Sequence, residues 1–120
     1  MLLQCKRIYL PFAESDGKRV LVDRLWPRAL TRDRAKIDVW LKDIAPSPLL
    51  RKFFAHDPAR FAEFQKRYVD ELNTDVVHQQ SVESVLSWLK SEPVTLLYAA
   101  KDEVHNHAVV LTAFLRDRLT

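Results

Sequence analysis

Two polar clusters stand directly after strand-like apolar runs, and their residue types are those of acid–base and anion-binding chemistry. Asp23, Arg24, Trp26 and Arg28 follow Val20-Leu21-Val22, while Lys101, Asp102, Glu103, His105, Asn106 and His107 follow the run from Val94 to Ala100. Asp23 at the end of a buried strand can act as a general base, ligate a metal, or pair with Arg24 as a structural ion pair. The guanidiniums of Arg24 and Arg28 flank the Trp26 indole, a set suited to gripping phosphate or carboxylate and stacking on a planar ring. Trp26 suits the core equally well, tied down by Pro27. Lys101, Asp102 and Glu103 lie where a strand gives way to a helix, and free amides at a helix start favour an anion. Asp102 or Glu103 can equally cap that helix.

Histidines near such a crevice can move protons around neutral pH. Residues two apart on a helix point in different directions, so one of His105 and His107 is expected in the site. His105, nearer the strand end, is the better placed, and it joins Asp23 as the expected proton-transfer pair. The expected ligand-holding set is Arg24, Trp26, Arg28, Lys101, Asp102, Asn106 and His107. No metal or cofactor is expected, because no zinc spacing motif accompanies these side chains. His105-Asn106-His107 is not the nuclease motif written with the same letters, whose residues lie far apart in sequence. Cys5 has no neighbouring base and reads as a buried thiol, not a nucleophile. His56 adjoins a helix cap, and Trp40 and Trp88 fall in apolar stripes, so all three read as structural.

The elements that must position these residues follow from periodicity and punctuation. Residues 3 to 10 read as a first strand ended by Pro11, residues 19 to 25 as a second, and residues 94 to 100 as a third. The connection between the first two fits a wide hairpin or a degenerate crossover. A helix is expected from about Asp33, with Ile37, Trp40, Leu41 and Ile44 at helical spacing. A short helix then holds Leu49, Leu50, Phe53 and Phe54. Asp57 as N-cap with Pro58 behind it starts another, which places Phe61, Phe64, Tyr68 and Leu72 on one face. Two more follow, one beginning near Ser81 with Val82, Val85, Leu86 and Leu89 inward, and one carrying Val109, Val110, Leu111, Phe114 and Leu115.

A long strand–helices–strand connection favours parallel pairing with a right-handed crossover. The expected architecture is a single α/β domain over residues 1 to 120: a small, mostly parallel sheet, helices packed around it, and a helix-rich middle segment. In such sheets ligands bind beyond the carboxyl ends of the strands, which is where both polar clusters would lie.

Composition narrows the function classes. The chain is 48% hydrophobic and 29% charged, the profile of a globular domain. Its apolar runs fall far short of the ~18 residues that span a bilayer, and its start lacks the pattern of a signal peptide. A single cysteine excludes an internal disulfide, and the expected location is the cytoplasm. The one glycine, Gly17, sits in a turn-like Ser15-Asp16-Gly17-Lys18, so neither a Walker loop nor a dinucleotide fingerprint is present. Any bound phosphate must be held by side chains or a helix start. Net charge is +3, yet residues 18 to 42 hold eight basic residues against three acidic ones. That excess can attract phosphate or nucleic acid, or form a solvated face.

Three blocks in order carry a resemblance: Asp16-Gly17-Lys18-Arg19-Val20-Leu21-Val22-Asp23-Arg24-Leu25-Trp26-Pro27-Arg28, Ile37 to Ser47, and Lys101 to Leu111. They resemble the YeaO-like family, a branch of a widespread bacterial group of domains of unknown function, over nearly the full length. The resemblance implies a small cytosolic α/β domain whose site is formed by the residues named above, and it implies no reaction. This chain departs from the family's pattern at Ala29, where a glycine usually follows Trp-Pro-Arg. The expected function is a crevice for a small anionic ligand, phosphorylated or nucleotide-like, with catalysis open. The alternatives are a nucleic-acid-binding module that uses Trp26 or Trp40 as a stacking platform, and an interaction domain without chemistry.

Overall fold

The structure is a computed structural model that describes residues 2–119. Its four strands are β1 (Leu3–Arg7), β2 (Lys18–Leu21), β3 (Val39–Trp40) and β4 (Val94–Tyr98). They form one sheet in the order β1-β4-β2-β3, and each pairing is parallel. The helices are α1 (Arg32–Ala35), α2 (Pro48–Phe54), α3 (Phe61–Thr74), α4 (Val76–Trp88) and α5 (His107–Leu119). The α/β architecture with a helix-rich middle is as expected. β1 and β2 flank β4 instead of pairing, so the short connection between them is a crossover.

β4 is central and buried at all five positions, as its unbroken apolar run requires of a strand covered on both faces. Alternation sends Leu3, Val20, Val94, Leu96 and Tyr98 into the main core against Phe64, Tyr68 and Leu72 of α3, Val82 and Val85 of α4, and Leu111 and Leu115 of α5. The opposite face is thinner. Ile8, Leu21 and Leu97 pack there against Ala35, Trp26, Leu30, Ile37 and Trp40, which come mostly from loops. Toward the amino ends of the strands this face turns polar. Asp16 accepts from Lys6 at 3.1 Å and from Arg19 at 2.5 Å, and Arg19 also donates to the carbonyls of Ala35 and Lys36.

The stretch from Asp33 to Ile44 differs from expectation. Thr31 caps α1, which stops after one turn because Lys36 takes a left-handed conformation at φ 48°. Val39 and Trp40 then pair in parallel with Val20 and Leu21. Ile37 and Trp40 pack on one side of the sheet, Val39 and Leu41 on the other. Apolar residues serving both faces of an edge strand mimic helical spacing, and tertiary pairing decided between the two. The strands are also shorter than expected: β1 stops at Arg7, β2 at Leu21 and β4 at Tyr98. α4 starts earlier than Ser81, at Val76, with Asp75 accepting from the His78 amide. Gly17 makes the expected turn at φ 66°, and a Cβ there would run into the carbonyl of Pro93, which accepts from the Lys18 amide.

Candidate functional site

Beyond the carboxyl ends of β2 and β4, Asp23 bridges the two strands. Its Oδ2 accepts from the Ala99 amide at 3.0 Å, and its carbonyl accepts from the Trp40 indole at 2.8 Å. Its Oδ1 lies 3.1 Å from His107 Nε2, yet the imidazole N–H is aimed at the Val22 carbonyl, 3.0 Å away. Oδ1 is therefore the buried side-chain polar atom without a hydrogen bond among the described residues. The separation satisfies an ion pair while the angle denies a hydrogen bond; the angle decides how much the contact contributes, since hydrogen bonds weaken steeply off line. Leaving such an oxygen unpaired costs about 1–3 kcal/mol.

Arg24 turns away from Asp23. Its Nη2 donates to the Ala45 carbonyl at 3.1 Å and its Nε to that of Pro46 at 3.3 Å. The same Ala45 oxygen meets His78 Nε2 at 2.7 Å, and Tyr68 donates its phenol to the Ile44 carbonyl at 2.6 Å. Glu71 accepts from the Ser47 amide at 2.9 Å and the Ser47 hydroxyl at 2.5 Å. The loop 44–47 is thus held by four side chains, from α3, from α4 and from the segment after β2. Burial pushes the Tyr68 phenol well up, with Glu71 adding to the effect. His78 also meets Asp75 Oδ2 at 2.6 Å through Nδ1, so both ring nitrogens face oxygen acceptors. Hydrogen bonds from the His78 side chain and amide hold the Asp75 carboxyl below its usual range.

The loop from Ala99 to Asn106 carries the second cluster. Asp102 Oδ1 accepts from the amides of Val104 and His105 at 2.9 Å each, and Oδ2 meets His105 Nδ1 at 2.9 Å. The His105 and Val104 amides, helped by the His105 ring, lower the Asp102 carboxyl to about 2. The His105 ring is half-exposed and stands edge-on to Phe61 at 5.2 Å. Among the described residues its Nε2 has no hydrogen-bond partner. Asn106 is buried; its Oδ1 accepts from the Val109 amide and its amide donates to the Asp102 carbonyl, which makes it the N-cap of α5. Lys101 is exposed beside Ala100, whose carbonyl accepts from Arg7 Nε at 3.1 Å.

Trp26 belongs to the thinner core. It donates to the Leu30 carbonyl at 2.6 Å, meets Trp40 edge-on at 5.4 Å, and has the Arg32 guanidinium 4.9 Å above it. Arg28 is exposed, and its carbonyl accepts from the Tyr9 phenol at 2.9 Å. Ala29 adopts φ 57°, so the left-handed turn forms without glycine.

The expected site residues thus fall in four places. Asp23 and His107 meet at the β2–β4 junction, and Lys101, Asp102, His105 and Asn106 share the loop before α5. Arg24 serves the 44–47 loop, while Trp26 and Arg28 lie toward the other side of the sheet. The polar residues Ser47, Glu71, Asp75 and His78 escaped the sequence reading. A signal existed: Asp75-Val76-Val77-His78 repeats the spacing of Asp102-Glu103-Val104-His105. Among the described residues no group of three or more His, Cys, Asp or Glu is placed to hold a metal ion. Among the described residues no helix is long and apolar enough to cross a membrane.

Comparison with known proteins gives the same architecture a family. Residues 2–120 match the family model described as the inactive DUF488-N3 subclade. The chain is 44% identical to the uncharacterized protein YeaO of Escherichia coli (strain K12) over 116 residues, covering 97% of this chain and 98% of that one. It is 38% identical to the uncharacterized protein Rv3073c of Mycobacterium tuberculosis (strain H37Rv) over 113 residues, 93% of this chain and 92% of that one. No solved structure matches. With the match running through β1, both polar clusters and α5, the chain belongs to the inactive DUF488-N3 subclade.

Proposed function

We propose that this chain is a binding domain for a small anionic ligand, phosphorylated or nucleotide-like, held at the Ala99–Asn106 loop without turnover. The observation that carries this reading is the Asp102–His105 pair. Asp102 engages Nδ1 and two amides, so Nε2 is left free on a half-exposed ring. The exposed Lys101 ammonium shares that loop, and Arg7 is pinned to it through Ala100. Two nitrogen donors on one short loop, with the Arg7 guanidinium held against it from the end of β1, suit an oxyanion, which charge-assisted hydrogen bonds hold best.

Binding is favoured over catalysis because Asp23 is committed to Ala99 and sits against His107, and because Arg24 is spent on backbone carbonyls. The family's description as inactive points the same way. Asp23 then serves to position the loop, and His105 is the ligand-facing histidine. The nucleic-acid alternative draws less support, since both tryptophans offered as stacking platforms pack into the thinner core.

The test is titration of the protein with inorganic phosphate and pyrophosphate, followed by the ring resonances of His105 and the Lys101 amide. Saturable shifts at both, weakened at least ~5-fold in Lys101→Ala or His105→Gln, are expected for charge-assisted contacts of this type. Shifts scattered over the basic surface, unchanged in both variants, would defeat the proposal.

A further inference from the structure

A second surface stands apart from that loop. A cleft of about 300 Å³ opens on the thinner side of the sheet, lined by Tyr9, Leu10, Phe12, Ala29, Arg34 and Lys36 among others. Tyr9, Leu10 and Phe12 are 41%, 44% and 45% exposed within four consecutive residues that also include the exposed Pro11. A concentrated apolar display rimmed by charge is the mark of an interaction site. Two of the lining residues, Ala29 and Lys36, hold left-handed backbone at φ 57° and 48°. Backbone of that kind in residues other than glycine is retained where surrounding structure overdetermines it, often at recognition sites.

The cations around the cleft say what it would take. Lys36 Nζ lies 4.7 Å over the Phe12 ring and the buried Arg19 guanidinium 5.3 Å from it; Arg7 lies 4.9 Å over Tyr9. Arg34 completes the lining. Because cations already cover the ring faces, a nucleobase would have to displace them to stack. A carboxylate has only to approach the exposed Arg34 and Lys36, while Arg19 stays with Asp16. The volume lies at the small end of ligand cavities and suits one large apolar side chain.

We infer that this cleft docks an acidic segment of a partner protein, seating one large apolar side chain between Leu10 and Phe12 with flanking carboxylates on Arg34 and Lys36. Arg7 stands between this cleft and the Ala99–Asn106 loop, and the docking contacts on Arg34 and Lys36 do not depend on Lys101 or His105.

The probe is a fluorescein-labelled peptide of aspartates and glutamates around a central phenylalanine. Its controls are the same peptide with serine at the centre and a labelled oligothymidylate. Binding is expected for the phenylalanine peptide, with amide shifts at Tyr9, Leu10, Ala29 and Lys36. The serine control, the Phe12→Ser variant and the double reversal Arg34→Glu/Lys36→Glu should each lose roughly 10-fold or more, the loss expected of an anchor or of its charge partners. Both variants alter exposed positions, and an unchanged thermal midpoint checks that they fold. Lys101→Ala should bind the peptide as the parent does. Absence of peptide binding would overturn the inference, as would equal binding of the two peptides or tighter binding of oligothymidylate at the same amides. Concentration-dependent dimerisation abolished by Phe12→Ser would overturn it too, by assigning the cleft to a second copy.

Discussion

Arg24 and His78, from opposite halves of the chain, converge on one carbonyl oxygen, that of Ala45, at 3.1 and 2.7 Å. Removing either leaves a buried backbone acceptor with one donor fewer and loosens the loop that Tyr68 and Glu71 also hold. His78→Ala is expected to cost about 1–3 kcal/mol by urea denaturation, the range for disrupting a buried hydrogen bond. The double variant with Arg24→Ala should deviate from additivity, because both side chains act on one group.

Acid stability follows from the two Asp–His pairs. Asp75 is held below its ordinary range by His78, and Asp102 is lowered to about 2 by the amides of His105 and Val104. The folded carboxyls bind protons less readily than the unfolded ones, so their contribution is present above about pH 4, the ordinary aspartate value. It fades as pH falls through the folded values. Unfolding midpoints measured from pH 6 down to pH 2 should therefore drop steeply below pH 4 in the parent and less steeply in Asp102→Asn.

Asn106→Ala removes the cap of α5 and a donor to the Asp102 carbonyl. The expected loss is about 1–2 kcal/mol, the upper part of the capping range, read as a lower thermal midpoint. Asn106→Asp should recover only part of it, since aspartate also accepts from the third amide of the helix but sets a carboxylate oxygen against the Asp102 carbonyl.

Substitutions at two turns should act with opposite signs. Ala29→Gly relieves a left-handed alanine and is expected to raise stability by up to about 1 kcal/mol. Gly17→Ala places a methyl against the Pro93 carbonyl at φ 66° and should destabilise by about 1–3 kcal/mol or more. Denaturant midpoints of the two single variants decide both.

Much of the fold was legible because β4 is an unbroken apolar run and α3 repeats its apolar residues on one face, patterns that burial alone writes into sequence. β3 was not legible: Ile37, Val39, Trp40 and Leu41 serve two sides of the sheet, and that arrangement also satisfies a helical period. The polar clusters were found at the strand ends, but their division was hidden. Whether Arg24 turns to Asp23 or to the Ala45 carbonyl depends on where residues 44 to 47 come to lie, and nothing near Arg24 in sequence specifies that. The spacing of His78 from Asp75 was visible in sequence, but the Ala45 carbonyl that gives His78 its role meets it only in space.

The brevity of β3 has a consequence for how this protein behaves in a crowd. Two residues offer too few free backbone groups to template a strand from another molecule. At the opposite edge, β1 carries Lys6 and Arg7, and Arg116 already occupies the Leu3 carbonyl at 2.7 Å. The stretch most able to seed fibrils, Val94 to Tyr98, lies between neighbours on both sides. Its exposure to other chains is confined to the time before β1 and β2 close around it.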